Sequence, residues 1–260
     1  MPELPEVESL RRQLSEMIVN EKIIDMEILD RRLGAISGVI GRRVEAVSRE
    51  GKALIVLLDN GRSLLLHLRM TGRMLWQSGS PALRPHTRFV IRFASAHLLL
   101  IDPRRFATLA ITEGEPPQAF VRDPLRDFRV TELMALAKKR KLPVKSFLMD
   151  QRLIAGIGNI YASEILHSVS INPSRPSREV ALSEWRKIEK AAKRILESAI
   201  ACRGTTVSDW RDLFGEKGSY QDELKVYGRE GLSCLRCRST IARITIGGRG
   251  TFFCPCCQKR

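Results

Sequence analysis

Short apolar runs that alternate with polar, glycine-bearing turns dominate residues 20–112. Two of these runs, 53–58 and 63–68, are separated by Asp-Asn-Gly at 59–61, which tolerates the positive φ angles of a tight hairpin. Five further runs have the same strand-like character: 23–29, 39–47, 88–93, 98–101 and 107–111. The pattern predicts a β-rich unit built from two packed sheets.

A helical pattern precedes the strands. Glu6 and Glu8 oppose the dipole at the start of a helix, and two early prolines fit its first turn because their fixed φ is tolerated there. Apolar residues follow at helical spacing, at Val7, Leu10 and Leu14. The sequence therefore predicts an N-terminal helix that lies against the β-rich unit.

Beyond residue 112 the apolar pattern changes to that of helices. Residues 113–117 break the last strand, and residues 122–125 have the composition of a linker. Four helical segments follow, at 132–139, 145–153, 160–167 and 183–202. The last segment has one apolar face and stops at Gly204. These segments predict a second domain that is entirely helical.

The last part of the chain is short, basic and rich in cysteine, so it needs a cross-link, such as a bound metal or disulfides, to fold. Cys234-x2-Cys237 and Cys254-x2-Cys257 are separated by sixteen residues that include a strand-like run. Two such pairs place four thiolates around one Zn²⁺, and four protein ligands make the metal structural. Disulfides, or cysteines without a special role, are the alternative. Cys256, inside the second pair, would be a poorer ligand.

The charge balance indicates a polyanionic partner. The chain has 44 Lys and Arg against 29 Asp and Glu, a formal net charge of +15 and a pI of about 10.1. Clustered basic residues gain affinity by releasing phosphate counterions, so nucleic acid is the simplest partner. The acidic N-terminus resembles no signal peptide, and no apolar stretch is long enough to span a bilayer. We therefore expect a cytoplasmic protein with reduced thiols and no membrane partner.

The first residues carry a potential nucleophile. Proline permits removal of Met1, so the mature chain could begin with the secondary amine of Pro2, which can attack an aldehyde-like carbon and form an iminium. A reference α-amino pKa of about 7.7–8.0 leaves some neutral base at physiological pH. Glu3 lies beside it as a general acid or base. An acidic, proline-capped helix without catalytic function is the alternative.

Two further motifs fit contact with DNA. Gly156 to Asn159 (Gly-Ile-Gly-Asn) lies between two predicted helices, where free N–H groups suit a phosphate and Asn159 could cap the next helix. A turn that leaves a strand carries Arg104, Arg105 and Phe106. The aromatic ring could insert between bases of a duplex as a wedge, and an arginine could fill the gap and form hydrogen bonds. An ordinary helix–helix turn and an ordinary surface turn are the respective alternatives.

Together these motifs resemble the formamidopyrimidine-DNA glycosylase family, with the endonuclease VIII group as a close relative. The resemblance covers essentially the whole chain. It is carried by residues 1–8, 49–52, 67–72, 102–106, 148–150, 156–164 and 221–229 and by the four-cysteine finger. It implies an α+β protein: a β-sandwich with an N-terminal helix, a helix–two-turn–helix domain and a zinc ribbon. The expected domains are 1–120, 131–222 and 223–260.

The resemblance also implies a role for individual residues. Pro2 would attack C1′ of an everted, damaged nucleoside and form a Schiff base, with Glu3 as proton donor. Lys52 would serve base excision and β-elimination, and Arg249 would bind phosphate and assist δ-elimination. Three residues would fill the gap left by the extruded base: Met70, Arg104 and Phe106. Four would hold the DNA backbone: His86, Arg104, Arg140 and Asn159. The other histidines are assigned no role.

The implied function is a bifunctional DNA glycosylase/AP lyase of base excision repair. It would excise 8-oxoguanine and formamidopyrimidines from damaged double-stranded DNA, act as a monomer, and associate with the nucleoid if bacterial. Two alternatives stay open: an endonuclease VIII-like enzyme for oxidised pyrimidines, and a non-catalytic zinc-ribbon protein that binds DNA. Arg69 and Ala107 stand where the family pattern leads us to expect glycine, and Ala53 where an aromatic residue is common, so substrate range is the least constrained expectation.

Overall fold

The computed structural model describes residues 1–79, 82–114 and 122–259. Most of the predicted strand break at 113–117, and the domain boundary predicted at residue 120, lie outside these ranges. The chain divides into two compact units, Met1–Ala119 with Ile200–Gln221, and Phe120–Ala199 with Asp222–Arg260. Each unit is described by itself.

The first unit begins with helix α1, Leu4–Ile18. Glu3 is its N-cap, and Glu3 and Glu6 form a reciprocal capping box that satisfies two backbone N–H groups at the helix start. The buried face of α1 carries Val7, Leu10 and Leu14, as the helical spacing predicts. The predicted N-terminal helix is therefore confirmed.

Within the described residues, eight antiparallel strands follow α1 in two four-stranded sheets, whose strand orders are β1-β6-β7-β5 and β2-β3-β4-β8. The strands are β1 Asp25–Ile28, β2 Val44–Glu50, β3 Ala53–Leu58, β4 Arg62–His67, β5 Arg73–Ser78, β6 Thr87–Arg92, β7 Ala96–Ile101 and β8 Thr108–Glu113. One hydrophobic cluster joins α1 to residues from both sheets, such as Leu54 and Phe89. This arrangement confirms the predicted β-sandwich with an N-terminal helix.

The strand predictions fail at two places. The run 39–47 forms a strand only from Val44, because Gly41 adopts a positive φ of 81° and turns the chain before it. Strand β5 was not predicted, because Arg73 and Gln77 interrupt its apolar residues and its edge position leaves several side chains half-buried.

The second unit contains helices and a small hairpin. The helices are α2 Val130–Lys138, α3 Val144–Leu148, α4 Asn159–Ser168 and α5 Leu182–Ala201. Helix α3 is shorter than the predicted 145–153, because the chain enters turns after Met149. The hairpin pairs β9, Ala242–Ile246, with β10, Arg249–Phe253. Its two turn residues, Gly247 and Gly248, both have positive φ, as a tight two-residue hairpin requires.

None of the helices in the described ranges has the length and apolar character needed to cross a membrane.

Candidate active site and nucleic-acid interface

The start of α1 is held in place by buried side chains. Pro2 and Glu3 are both buried, whereas Met1 is exposed. The backbone N–H of Glu3 donates to Oε2 of Glu6 at 2.7 Å, and the N–H of Thr205 donates to Oε1 of the same carboxylate at 2.8 Å. The two residues predicted to act at the N-terminus therefore lie together at a helix start whose backbone is held at Glu3 by the Glu6 carboxylate.

Lys52 lies in the turn between β2 and β3, and its side chain is only 7% exposed. Arg49 orders this turn, because its Nη1 donates to the carbonyl of Gly51 at 2.8 Å while its Nε pairs with Glu8 Oε2 at 3.2 Å. Burial raises the pKa of Glu8. The hydrogen bonds from Arg11 and Arg12 and the charge of Arg49 lower it by more, so the net pKa lies below the usual value. An ionised Glu8 thus links α1 to the turn that carries Lys52.

His67 ends β4 directly opposite Ala53 and was assigned no role from the sequence. Burial, followed by the charges of Arg69 and Lys52, lowers the pKa of His67 to about 4. Its Nδ1 accepts the backbone N–H of Arg69 at 3.0 Å. A neutral imidazole near Lys52 adds no further positive charge there at neutral pH.

The three predicted gap-filling residues lie on two exposed loops. Met70 is 41% exposed and Phe106 is 48% exposed, although both are large and apolar. The guanidinium of Arg104 stacks over the Phe106 ring, with 4.7 Å between its Cζ and the ring centroid. The hydroxyl of Thr71 donates to Oδ1 of Asp102 at 2.5 Å, which ties the Met70 loop to the loop that carries Arg104 and Phe106.

A buried ionic network supports both loops. Arg88 Nε pairs with Asp30 at 2.7 Å and its Nη1 with Asp102 at 3.2 Å, and all three side chains are buried. Burial raises the pKa of Asp102, but the hydrogen bonds from Thr71 and Ala107 and the charge of Arg88 outweigh it, so the net pKa lies below the usual value. The loops thus rest on a network of two carboxylates and two guanidinium groups, because Asp30 also pairs with Arg105.

Arg88→Met should destabilise the first unit by about 3–5 kcal/mol, because it removes the cation from buried Asp102, whereas Asp30 retains its pair with Arg105. Urea unfolding measures the loss. The control is Arg62→Met, which breaks an exposed ion pair with Glu113 and should cost much less. Similar losses for the two variants would contradict this account of the network.

The two departures from the expected glycines differ in their backbone conformation. Arg69 has a positive φ of 56°, a conformation that favours glycine, and the exposed arginine accepts the strain. Ala107 keeps a negative φ, and its N–H donates to Asp102 Oδ2 at 2.7 Å while its carbonyl accepts from Arg88 at 2.9 Å. Alanine therefore fits at position 107 without backbone strain.

His86 lies close to the second of these loops. It is exposed, its φ is 67°, and its carbonyl accepts the backbone N–H of Asp102 at 3.0 Å. His86 and Arg104 are thus brought to neighbouring segments of the first unit, as expected for residues that share one binding surface.

In the second unit, Asn159 contacts the zinc-finger hairpin. The N-cap of α4 is Gly158, so the expectation that Asn159 caps this helix is wrong. The side chain of Asn159 instead donates to the carbonyl of Gly250 at 3.1 Å. Arg249 is the neighbour of Gly250 in β10 and is exposed. Asn159 and Arg249, which are far apart in the sequence, are therefore brought together.

A buried lysine organises this contact and was not found from the sequence. Lys145 is fully buried, and its Nζ donates to Asn159 Oδ1 at 2.5 Å and to Thr251 Oγ1 at 2.7 Å. It thereby joins α3, the start of α4 and β10. No motif pointed to Lys145, because its partners come from distant parts of the chain.

Arg140 lies at the end of the α2 region, partly exposed. Its Nη1 pairs with Asp150 Oδ2 at 3.3 Å, and its Cζ lies 6.0 Å from the centroid of the Phe147 ring. Hydrogen bonds from Arg152 lower the pKa of Asp150, so this carboxylate remains charged and restrains both arginines.

Four cysteines form the candidate metal centre. The sulfur atoms of Cys234, Cys237, Cys254 and Cys257 all lie within 4.8 Å of one another. The Cys237–Cys254 distance is 3.4 Å and the Cys234–Cys257 distance is 3.9 Å. Tetrahedral Zn²⁺ with Zn–S bonds of about 2.3 Å requires sulfur atoms about 3.8 Å apart, so the group fits one structural zinc ion. Cys256 is exposed and lies outside the cluster.

Glu164 connects α4 to the segment that leads into the cysteine cluster. Its buried carboxylate accepts three backbone N–H groups, from Lys225 and Val226 at 3.0 Å and from Tyr227 at 2.8 Å. Burial raises the pKa of Glu164 despite these bonds. This anchor fixes the finger segment against the same helix whose first residue contacts the hairpin.

Three family models match, described as the formamidopyrimidine-DNA glycosylase N-terminal domain at residues 1–109, the formamidopyrimidine-DNA glycosylase H2TH domain at 120–210, and a zinc finger found in FPG and IleRS at 231–260. Together with the sandwich and the cysteine cluster, they define a zinc-finger DNA glycosylase of base excision repair.

Curated relatives and solved structures agree with these matches. Formamidopyrimidine-DNA glycosylase from Desulfitobacterium hafniense is 41% identical over 99% of this chain and 100% of its own, and that from Chloroflexus aggregans is 37% identical over 99% and 98%. A Lactococcus lactis FPG variant bound to DNA that contains Fapy-dG has a TM-score of 0.92 at 32% identity over all of both chains. Lactococcus lactis Fpg bound to DNA with an abasic site has a TM-score of 0.92 at 31% identity, covering 99% of this chain and 100% of that one.

The chain belongs to the formamidopyrimidine-DNA glycosylase family. The predicted resemblance, the fold class, the glycosylase activity and the single structural zinc are thereby confirmed. The roles of the individual site residues and the domain boundaries stay predictions.

Proposed function

We propose that this protein excises oxidised purines, such as 8-oxoguanine and formamidopyrimidines, from duplex DNA and then cleaves the abasic strand by β,δ-elimination. The observation that carries the proposal is the start of α1, where Pro2 and Glu3 are buried next to an exposed Met1 and Glu6 binds the backbone N–H of Glu3. Loss of Met1 would leave a secondary amine beside a carboxyl group, the pair needed for imine chemistry.

The proposed reaction begins with attack of the Pro2 nitrogen on C1′ of an everted nucleoside. The glycosidic bond breaks, and its electron pair leaves with the base, which takes up the proton that the Pro2 nitrogen loses. Glu3 donates a proton to the sugar ring oxygen as the ring opens and the iminium forms. Loss of a C2′ proton then expels the 3′ phosphate, and a second elimination expels the 5′ phosphate. Lys52 serves excision and the first elimination, and Arg249 stabilises a phosphate in the second.

DNA binding is supported by relatives whose solved structures hold damaged DNA. In our proposal, the exposed Met70, Arg104 and Phe106 replace the extruded base. Four polar residues hold the backbone: His86, Arg104, Arg140 and Asn159. The net charge of +15 strengthens each phosphate contact through counterion release.

The domain boundaries, the oligomeric state and the cellular location belong to the same proposal. The domains 1–120, 131–222 and 223–260 correspond to catalysis, helix–two-turn–helix DNA binding and the zinc ribbon. The protein acts as a monomer. It is located in the cytoplasm, at the nucleoid in a bacterial cell, because its DNA substrate is there and a four-thiolate zinc site needs reduced cysteines.

A panel of duplexes, each with one lesion, tests the substrate assignment. Single-turnover excision should be faster for 8-oxoguanine and formamidopyrimidine than for an oxidised pyrimidine such as thymine glycol. A preference for the pyrimidine would assign the endonuclease VIII-like alternative instead. Binding without strand cleavage on any duplex would favour the non-catalytic alternative.

A further inference from the structure

One end of the sheet β2-β3-β4-β8 brings together several candidate site residues of the first unit. His67, the last residue of β4, lies opposite the first residue of β3 and the first residue of β8. Lys52 directly precedes β3, and Phe106 shortly precedes β8. Arg69 and Met70 follow directly after β4. The register therefore places all of these residues at the same end of the sheet.

Arg69 has a strained backbone at this end of the sheet. Its φ of 56° lies in the left-handed region, which is unfavourable for a residue with a side chain and neutral for glycine. The conformation is held by His67, whose Nδ1 accepts the backbone N–H of Arg69 at 3.0 Å. Of the five non-glycine residues with positive φ in the described part of the first unit, three lie in loops of the candidate site: Arg69, His86 and Arg105. Such strain clusters at functional sites, so it indicates that the Arg69 side chain has a function.

The charge of Arg69 is not neutralised, in contrast to that of Arg105. The Nε of Arg105 donates to Oδ2 of Asp30 at 2.8 Å. Arg69 is exposed, and it forms no ion pair with a residue that the structure describes. Its charge acts within the site, because burial first and then the charges of Arg69 and Lys52 lower the pKa of His67. An anionic partner would therefore gain a free cation at this position.

The residue type at position 69 indicates which anion this is. Glycine, which the family pattern leads us to expect there, adopts a positive φ without strain but offers no side chain. Arginine instead presents a planar guanidinium that can bind a phosphate through two parallel N–H groups. In the proposed function, the neighbouring Met70 enters the duplex, so the phosphates nearest to Arg69 are those beside the extruded base.

We propose that Arg69 is a further DNA-binding residue, which contacts a backbone phosphate next to the point where Met70 enters the duplex. The inference rests on the proposed function, because it uses the insertion of Met70. Arg69 takes no part in breaking or forming bonds. It adds affinity for DNA at the expense of the folding stability of the free protein.

Arg69→Gly tests the proposal, because its two expected effects have opposite signs. The Kd for a duplex that contains a tetrahydrofuran analogue of the abasic site should rise about tenfold. The slope of log Kd against log salt concentration should decrease by about one, as expected for the loss of one phosphate contact. The Tm of the free protein should rise by about 2–4 °C, because glycine relieves the backbone strain.

Two further variants separate the guanidinium contact from charge and strain in general. Arg69→Lys retains the cation, so it should keep the salt dependence and bind within about threefold of the wild type. The matched control is Arg129→Gly, which also removes an exposed arginine with a positive φ, here 47°. Arg129 pairs with Asp127 at the start of α2, so its loss should change neither the Kd nor the salt dependence.

Unchanged affinity and salt dependence in Arg69→Gly would overturn the inference. An equal loss in Arg129→Gly would do the same, because net charge alone would then explain it. A lower Tm together with lost affinity would also overturn it, since a damaged fold would account for both. A loss that varied with the base opposite the lesion would contradict a phosphate contact, which carries no sequence information. The proposed function would fail differently: the wild-type protein would excise no oxidised purine, whatever the affinity of Arg69→Gly.

Discussion

Replacing Pro2 by glycine will slow cleavage at a preformed abasic site by about a hundredfold or more and leave DNA affinity within about twofold. Glycine still offers an amine once Met1 is removed, but a primary one of different basicity on a backbone that lacks the ring's fixed φ. The nucleophile would be less basic and less well oriented, whereas the side chains proposed to hold DNA are unchanged.

Single-turnover cleavage and equilibrium binding to the same abasic duplex give the two quantities for Pro2→Gly. Pro5→Ala is the matched control, because Pro5 lies in the first turn of α1 and has no proposed chemical role. Equal losses of cleavage and affinity in Pro2→Gly would show that the residue serves structure rather than chemistry.

Cys237→Ser will release the zinc and weaken DNA binding by about tenfold or more, because metal binding supplies much of the folding energy of so small a unit. The hairpin that carries Arg249 packs around this centre and reaches Lys145 through Thr251. Without zinc the hairpin loses its fixed position, and with it the phosphate contact proposed for Arg249.

Zinc content per chain and affinity for a lesion-containing duplex measure this effect. Cys256→Ser is a demanding control, since the residue lies in the same knuckle but is exposed and outside the cluster of four. It should retain both metal and affinity. A Cys237→Ser protein that keeps its zinc and binds DNA normally would contradict the assignment.

Local sequence patterns were sufficient to predict most secondary-structure elements of the sandwich and the metal centre. The alternation of apolar residues marked most strands of the sandwich, and the early prolines and acidic residues marked α1, because these signals come from neighbours in the sequence. The cysteine spacing likewise specified the cluster before any geometry was known. Strand β5 escaped because an edge strand with mixed polarity has no clear period.

The supporting contacts could not be predicted, because they join residues that are distant in the chain. Arg88 pairs with Asp30 across 58 positions, Lys145 reaches Thr251 across 106, and Gln13 reaches Asp212 across 199. Arg88 and Lys145 are buried and Gln13 is partly buried, yet the local sequence of each resembles that of an exposed residue. Only the fold places its partner, so no local sequence pattern reveals these contacts.

The central claim is that the chain's own terminal amine becomes bonded to sugar carbon, and one measurement tests it most directly. The protein, with Met1 removed, is incubated with abasic duplex and borohydride, and the cross-linked peptide is identified by mass. We predict a reduced adduct on Pro2 in the wild-type protein. Normal cleavage of the strand, with no adduct on the first residue, would contradict the account.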